Sequence, residues 1–412
     1  MSVLQFKETT LPNGLRVIAE INPEAKSVAM GYFVRTGSRD ELVGEEGLSH
    51  FLEHMVFKGT ERRTAWDVNR EFDEMGAKYN AFTNEEMTVF YGAVLPEFAP
   101  RLLDLFTDMM HPALREEDFE TERKVILEEI ALYQDRPNFV LYERAQAAYF
   151  GRHPLAKPVL GTPESIAAMR REQMVNYHAR RYVPGNMLLA FAGNLDWEEM
   201  LTLVERLTAD WPRGQAPRNH PPFEPQPKAL REFFDRASQV YTAFMAPGVS
   251  ARSEERYAAR VLAEVLGDPD NGRLFWRLTD TGLAETATAF HHEFEELGVY
   301  FVYTQCDPER EEEVAAAVRE ELAQLERGGV SEEELERAKL KTATSLVFAG
   351  ETSLSRLFYL GVNYVYTGRY EPLDAVRRWV MHLETYHLAE LLERRPFARA
   401  LEFRLVPGHD ET

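Results

Sequence analysis

The chain has 412 residues, of which 44% are apolar and 28% charged, and it carries a formal net charge of −21. This length exceeds what one hydrophobic core usually organises, so two domains are expected. The acidic balance argues against nucleic acid or an anionic membrane as a partner, because phosphate binding needs clustered Lys and Arg. The single cysteine, Cys306, cannot form an intramolecular disulfide, so any metal site must use His and carboxylate ligands.

The sequence also carries no signal for a membrane or an exported protein. No apolar run approaches the roughly 20 residues that a membrane-spanning helix needs. The first residues lack the patterns of a secretory signal and of a transit peptide. We therefore expect a cytoplasmic protein without a membrane partner.

Strand-like and helix-like segments follow each other in both halves of the chain. Composition predicts strands at 14–21, 28–37, 87–95 and 187–194, then at 240–248, 286–294 and 298–306. Apolar spacing predicts helices at 45–57, 64–75, 97–110, 116–134, 163–179 and 196–207, then at 253–266, 308–327, 331–348 and 371–394. Because helices and strands do not alternate strictly, the pattern predicts an α+β fold rather than one doubly wound sheet. The similar order in the two halves points to a diverged duplication.

A proline-rich segment divides the chain nearly in half. Residues 210–228 contain six prolines, which interrupt both helices and sheet ladders. We interpret this segment as an interdomain linker between a domain at 1–209 and a domain at 229–412.

The stretch HFLEHMVFKGT, residues 50–60, contains the strongest chemical signal. His50 and His54 are four residues apart, so on a helix they lie one turn apart on the same face. Two imidazole nitrogens can then reach one zinc ion. Glu53 borders that face and could take a proton from a zinc-bound water. The pattern is H-x-x-E-H, the inverted relative of the H-E-x-x-H zinc helix.

A catalytic zinc site with two histidines needs one further protein ligand. The segment 119–134 offers Glu120, Glu122, Glu128 and Glu129. Glu122 and Glu129 are about 20° apart around a helix, so they share a face, whereas Glu128 is turned about 100° away from Glu129. One of the two could bind the metal and the other could accept a hydrogen bond from a ligating imidazole. On periodicity alone, a solvated acidic face remains the alternative.

Two other histidine-containing segments are weaker candidates for a metal site. In FHHEFEE, residues 290–296, adjacent histidines on a strand point to opposite faces. In HLETYH, residues 382–387, the spacing misaligns the pair on a helix. The glycine-containing segment 267–275 lacks the Lys-Ser/Thr pair of a phosphate loop and is interpreted as a turn.

Seven segments of the first half resemble the pitrilysin-type zinc peptidases of family M16. They resemble most the two-domain bacterial members and the β subunit of the mitochondrial processing peptidase. In the order of that family and spanning about residues 8 to 194, the segments are LPNGLRVIAE, FVRTGSRDE, GLSHFLEHMVFKGT, GAKYNAFTNEEMTVFYGAVL, ERKVILEEI, GRHPLAKPVLGTPESI and RYVPGNMLLAFAGN. The combination of the inverted zinc motif with ILEEI some 75 residues later is highly specific.

The resemblance implies a role for each of these residues. His50 and His54 match the zinc ligands of the family, and Glu53 matches its catalytic base. Glu129 matches the third ligand and Glu122 the supporting acid, which implies one Zn²⁺ per chain and a zinc-dependent endopeptidase acting on unfolded or short peptides.

The resemblance further implies a peptide-binding strand and a two-domain architecture. Asn80, Ala81 and Phe82 match an edge strand that pairs with an extended substrate, a mode that tolerates varied side chains. The implied fold has two related domains, each a mainly antiparallel β-sheet covered by helices, facing each other like a clam shell around a peptide cavity. Residues 1–209 would carry the zinc, and residues 229–412 would form a related domain without a zinc motif.

The second half departs from the family pattern in one stretch. Active single-chain relatives carry a sequence like LREERGLAY, whose Arg and Tyr reach the substrate. Here the stretch is RLTDTGLAE, residues 277–285, with Leu278 at the Arg position and Glu285 at the Tyr position. Arg277 is one residue away, about 100° around a helix. We therefore expect a paralogous zinc-free subunit to supply the missing pair in a heterodimer. Without one, a homodimer is expected.

Two alternatives to a peptidase subunit stay open. One is a scaffold subunit that keeps the zinc helix, and the other is a zinc-dependent peptide-binding module with little activity alone. The complete set of His50, Glu53, His54 and Glu129 argues against a scaffold, which has no chemical need for that combination. The altered stretch 277–285 keeps the peptide-binding module open.

Overall fold

The computed structural model describes residues 4–408, which form two mixed β-sheets covered by helices. The strands are β1 (Gln5–Thr10), β2 (Arg16–Ile21), β3 (Val28–Val34), β4 (Lys78–Thr83), β5 (Thr88–Val94), β6 (Met187–Gly193), β7 (Lys228–Phe234), β8 (Val240–Gly248), β9 (Thr286–Glu293), β10 (Gly298–Cys306) and β11 (Leu401–Pro407). The helices are α1 (Leu48–Val56), α2 (Ala65–Glu74), α3 (Ala99–Met109), α4 (Glu116–Gln134), α5 (Pro137–Phe150), α6 (Pro163–Ala168), α7 (Arg171–Arg181), α8 (Trp197–Leu207), α9 (Arg256–Gly267), α10 (Glu311–Gly328), α11 (Glu332–Ala349), α12 (Ser353–Thr367), α13 (Leu373–Met381) and α14 (Thr385–Glu393). The predicted α+β class with two mainly antiparallel sheets is confirmed.

The first sheet has the strand order β1-β2-β6-β3-β5-β4. Its β2 and β6 are parallel, and the other neighbouring strands are antiparallel. Every residue of β3 and β6 is buried, which explains why both strands read as continuous apolar runs in the sequence. β4 is the last strand of the sheet and pairs only with β5 among the described strands.

The second sheet has the strand order β7-β11-β8-β10-β9. Its β7 and β11 are parallel, and the remaining pairs are antiparallel. The apolar face of α5 packs into the core of this sheet, where Leu141 and Phe150 join Met245, Phe301 and Phe403.

The chain forms two compact units that are not contiguous in sequence. The first comprises the chain up to Ile130 together with Lys157–Asn219 and Ala349–Glu371. The second comprises Ala131–Ala156, His220–Phe348 and the chain from Pro372 onward. The change of unit at Asn219 falls inside the proline-rich segment, and residues 211–227 contain neither helix nor strand. The sequence does not reveal that residues 131–156 belong to the second unit and residues 349–371 to the first; these are called the exchanged segments below.

The segment 349–371 contributes α12 to the first unit, where it packs against β3 and β6. Gly361 makes the close approach feasible, because a Cβ there would lie 2.1 Å from the Phe33 ring. Arg356 binds both carboxylate oxygens of the buried Glu20, with 2.5 Å between Nε and Oε1. The Ser353 hydroxyl donates to the Ser27 carbonyl at 3.0 Å. A late part of the chain is thus fixed on an early sheet.

Most predicted elements lie close to the observed ones, but two long helices were wrong. The predicted helix 163–179 is interrupted at Met169, whose backbone is extended, and Arg123 binds the carbonyls of Ala167 and Met169 there. The predicted helix 371–394 is interrupted at 382–384. β1, β7, β11, α5 and α12 were not predicted. No helix between residues 4 and 408 is long and apolar enough to cross a bilayer.

Candidate metal centre

The helix that carries the two histidines begins at a tightly constrained glycine. Gly47 has φ +90°, and a Cβ there would lie 2.6 Å from the Leu160 carbonyl oxygen. The buried Glu41 carboxylate accepts hydrogen bonds from the backbone N–H of Gly47 at 3.0 Å and of Ser49 at 2.8 Å. These bonds satisfy backbone donors at the start of α1, as a capping side chain does. Burial raises the pKa of Glu41 to about 8, against the lowering effect of these bonds. The position of α1 is thereby fixed at its first turn.

The structure brings His50, His54 and Glu129 together. The Nε2 atoms of His50 and His54 lie 3.8 Å and 3.6 Å from Glu129 Oε2. One ligand atom from each residue lies within 4.8 Å of the others. These separations are too long for good hydrogen bonds. They are close to the roughly 3.3 Å expected between two atoms bound tetrahedrally to one zinc at 2.0–2.1 Å.

The protonation of His50 suits a metal ligand. Burial, followed by the neighbouring His54, lowers the pKa of His50 to about 3, so the imidazole is neutral at physiological pH. A neutral imidazole is the form that binds a metal. A neutral His50 can therefore serve as a metal ligand.

Glu122 holds His54 from the side opposite Glu129. Its buried Oε1 lies 2.9 Å from His54 Nδ1, and Lys58 Nζ lies 2.5 Å from its Oε2. Burial alone would raise the pKa of Glu122, but the bonds to His54 and Lys58 lower it below its ordinary value. An ionised Glu122 only accepts hydrogen bonds, so His54 Nδ1 carries a proton, and in the neutral imidazole the Nε2 lone pair is on the side of Glu129.

Glu53 lies beside this group, and its side chain is buried. The Thr83 hydroxyl donates to Glu53 Oε2 at 2.6 Å. Burial raises the pKa of Glu53 above its ordinary value, and the Thr83 bond partly offsets this effect. A carboxylate with a raised pKa close to a metal site is suited to accept a proton near neutral pH.

The residues matched to a peptide-binding strand lie on β4, at the edge of the first sheet. Asn80 is exposed, Ala81 buried and Phe82 half-buried. They pair with Tyr91, Phe90 and Val89 of β5. The Asn80 side chain accepts a hydrogen bond from the backbone of Ala81 at 2.9 Å. The outer edge of β4 faces no further strand within residues 4–408, which leaves backbone groups for an added strand.

The altered stretch of the second unit offers no free cation at the family positions. Leu278 is fully buried, and the exposed Glu285 accepts from the Gln239 side chain at 2.7 Å. Arg277 is paired with Glu320 of α10 at 2.5 Å. The substituted positions therefore serve packing and local hydrogen bonding.

The weaker histidine candidates do not gather a comparable group. His291 accepts a hydrogen bond from the Val249 backbone, and His382 and His387 bond to backbone groups at helix ends. The structure does bring His220 close to Glu295 and Glu296, a combination that the sequence did not single out. Arg252 already forms ion pairs with both of these carboxylates. Within residues 4–408, the group of His50 and His54 is therefore the one suited to a metal.

Comparisons with known proteins identify the family of the chain. The family model described as insulinase (peptidase family M16) matches residues 16–163, and the model described as peptidase M16 inactive domain matches residues 168–342. The uncharacterized zinc protease YmxG of Bacillus subtilis is 32% identical over 374 residues, covering 90% of this chain and 91% of its own. An uncharacterized zinc protease of Mycobacterium leprae is 36% identical over 376 residues, covering 89% of this chain and 84% of its own.

Solved structures share the fold over nearly all of the chain. A protease from Helicobacter pylori superposes with a TM-score of 0.88 at 21% identity, covering 98% of this chain and 100% of its own. A Pseudomonas fluorescens structure described as a peptidase M16 inactive domain gives a TM-score of 0.90 at 18% identity, covering 99% of this chain and 100% of its own. With both family models matched in chain order and relatives above 30% identity along most of its length, the chain belongs to peptidase family M16.

Proposed function

We propose that this chain is a zinc-dependent endopeptidase that cleaves unfolded or short peptides. The observation that carries the proposal is the convergence of two imidazole Nε2 atoms and the Glu129 carboxylate beside the buried, hydrogen-bonded Glu53. Relatives of the chain are named zinc proteases, which supports the same metal and the same reaction class.

His50, His54 and Glu129 would hold the zinc, one ion per chain. When bound, zinc acidifies a coordinated water and polarises a carbonyl oxygen. Glu53 would take a proton from the attacking water and deliver it to the leaving amine. Glu122 keeps the proton of His54 on Nδ1, so that Nε2 remains available as a ligand.

The edge strand β4 would hold the peptide. Its unpaired backbone edge can form main-chain hydrogen bonds with an extended segment, and these bonds do not read side chains. Ala81 and Phe82 would supply this backbone, and the exposed Asn80 amide would add a contact to the peptide. A folded substrate presents few extended segments, so unfolded and short peptides are the expected substrates.

We further propose that the chain is the zinc-bearing subunit of a heterodimer with a zinc-free paralogue. Leu278 and Glu285 stand where active single-chain relatives carry Arg and Tyr, and Arg277 is engaged by Glu320. Loss of such donors costs about 10²–10³ in rate. A paralogous subunit that carries the Arg and Tyr would restore that factor.

The same observation favours one alternative function, a peptide-binding or scaffold subunit with little activity alone. Elemental analysis and a cleavage assay with an unfolded polypeptide separate the two. The peptidase proposal expects about one zinc per chain in the unmutated protein and in Glu53→Gln, with cleavage only in the former. Cleavage that persists in Glu53→Gln contradicts the assigned base.

The assay is run on the chain alone and with a paralogous zinc-free subunit. A rise in rate of about 10²-fold or more on adding the paralogue supports the heterodimer. Full activity of the isolated chain contradicts it. The alternative function is supported if the chain binds zinc and peptide but does not cleave the peptide, either alone or with the paralogue.

A further inference from the structure

Thr83 ends strand β4 and contacts Glu53 directly. The distance from Thr83 Oγ1 to Glu53 Oε2 is 2.6 Å, which is typical of a hydroxyl donating to a carboxylate. Thr83 is also opposite Thr88 in the β4–β5 pairing, and their hydroxyl oxygens are 3.4 Å apart. The Thr88 hydroxyl donates its own proton to the Thr36 carbonyl at 2.9 Å. Thr88 can therefore only accept from Thr83, at 3.4 Å, and the shorter 2.6 Å contact directs the single Thr83 proton to the Glu53 carboxylate.

Among residues 4–408, the Thr83 hydroxyl is the one hydrogen-bond donor to the Glu53 carboxylate. A Glu side chain has three rotatable bonds, so a carboxylate without such a bond could adopt several orientations in the space beside the metal group. The bond fixes Oε2 and leaves Oε1 without a donor within the described chain. One oxygen is thus held, and the other is available for a water proton.

We propose that Thr83 is the positioning residue of the catalytic base, and that it couples the orientation of Glu53 to the peptide-binding strand. This proposal rests on the proposed peptidase function. Thr83 follows directly after Asn80–Phe82 on the same strand, in which each residue rises about 3.3 Å from the one before. A peptide that pairs with β4 therefore stiffens the strand whose last side chain orients Glu53.

Three substitutions separate positioning from stability. Thr83→Val keeps the size and the β-branched shape but removes the hydroxyl. Thr83→Ser keeps the hydroxyl. Thr88→Val is the matched control, because it removes the neighbouring buried hydroxyl that does not contact Glu53.

The first measurement is the cleavage of an unfolded polypeptide, with the zinc content determined in each variant. A hydrogen bond to a charged group is strong enough to predict a loss of about 10- to 100-fold in kcat for Thr83→Val, with KM within about twofold. Thr83→Ser is expected to recover most of this loss, and Thr88→Val to leave kcat unchanged. Equal losses in Thr83→Val and Thr88→Val, or a fall in zinc content in Thr83→Val, would overturn the proposal.

The second measurement needs no turnover, so it also decides the proposal if the peptidase function fails. A peptide hydroxamate binds zinc and passes its proton to an adjacent carboxylate. Calorimetric titration of the zinc-loaded chain is expected to show weaker binding in Glu53→Gln and, by a similar factor, in Thr83→Val. Thr83→Ser and Thr88→Val should bind like the unmutated chain. Unchanged binding in Thr83→Val together with weakened binding in Glu53→Gln would overturn the positioning role.

Discussion

The two sheets repeat one topology. The first has the order β2-β6-β3-β5-β4 with β1 added at one edge, and the second has the order β7-β11-β8-β10-β9. In each series the first pair is parallel and the later pairs are antiparallel. The chain thus contains two versions of one framework, in agreement with the similar order of elements in the two halves of the sequence.

The chemistry differs between the two frameworks. In the second unit, α9 follows β8 as α1 follows β3 in the first. Counted from the pair of glutamates that precedes each helix, the positions of His50, Glu53 and His54 in α1 are occupied in α9 by Ala259, Leu262 and Ala263, respectively. All three are buried among other apolar residues.

The helix that carries Glu129, the proposed third ligand, shows the same contrast. Counted from the first residue of each helix, Glu122 and Glu129 of α4 correspond to Ala338 and Ser345 of α11. The framework therefore folds with small or apolar residues at all these positions. Burying polar groups has a cost that only specific contacts offset. Their presence in one framework and absence from the other indicates that the fold does not require them.

Removal of Glu129, the proposed third ligand, should break this contrast most strongly. In Glu129→Ala we expect zinc affinity to fall by more than about 100-fold, since the loss of a supporting residue alone costs 10- to 100-fold. Ser345→Ala, at the corresponding place of α11, is the control and should retain zinc. Elemental analysis after dialysis measures both. Equal zinc in the two variants would contradict the ligand assignment.

The next largest effect, on the free energy of unfolding, is expected at the contact of α12 with the first sheet. In Gly361→Ala the new methyl would meet the Phe33 ring, so we expect a loss of about 2–3 kcal/mol in the free energy of unfolding. Gly328→Ala, in the second unit, meets nothing within 4 Å and should be neutral or stabilising by up to about 1 kcal/mol. Urea denaturation measures both. A stable Gly361→Ala protein would contradict the packing of α12.

The supporting acid should matter less than the ligand. In Glu122→Ala, His54 loses its partner at Nδ1, and we expect a 10- to 100-fold loss of zinc affinity with zinc still bound at high concentration. Glu128→Ala is the matched control, because Glu128 is exposed on the same helix. Competition with a zinc chelator measures the two affinities. Similar affinities in both variants would place Glu122 outside the metal centre.

The smallest effect concerns Glu143 of α5, a half-buried acid that, unlike Glu122, has no hydrogen-bond or ion-pair partner within residues 4–408. Burial raises the pKa of Glu143 to about 7. An acid whose pKa is higher in the folded state than in the unfolded state contributes to stability at pH values below its ordinary pKa. This contribution is lost as pH rises through about 7. Relative to the unmutated chain, we expect the free energy of unfolding of Glu143→Gln to be higher by about 1–2 kcal/mol more at pH 8 than at pH 4. Denaturation at both pH values tests this, with the exposed Glu205→Gln as control. A pH-independent difference contradicts the raised pKa.

Local residue patterns made the metal helix and much of the fold predictable. H-x-x-E-H and the shared face of Glu122 and Glu129 are readable from spacing alone, because a helix has a fixed period. The contact of Thr83 with Glu53 could not be predicted, because it joins the end of a strand to a helix, and the relative placement of the two depends on tertiary packing. Lys58 was missed for the same reason. The interruptions of the two long predicted helices were missed because they are stabilised by long-range bonds, from Arg123 to the carbonyls of Ala167 and Met169 and from Lys339 to the Leu383 carbonyl.

The exchanged segments have a consequence for how the protein is made. The strands of the first unit are complete at Gly193. Its sheet is covered only when α12, which ends at Thr367, has been synthesised. A ribosome must therefore synthesise most of the chain while β3 and β6 lack part of their cover. Expression of residues 1–209 alone would expose that apolar face, so the half that carries His50 and His54 is unsuited to be produced or engineered as a separate module.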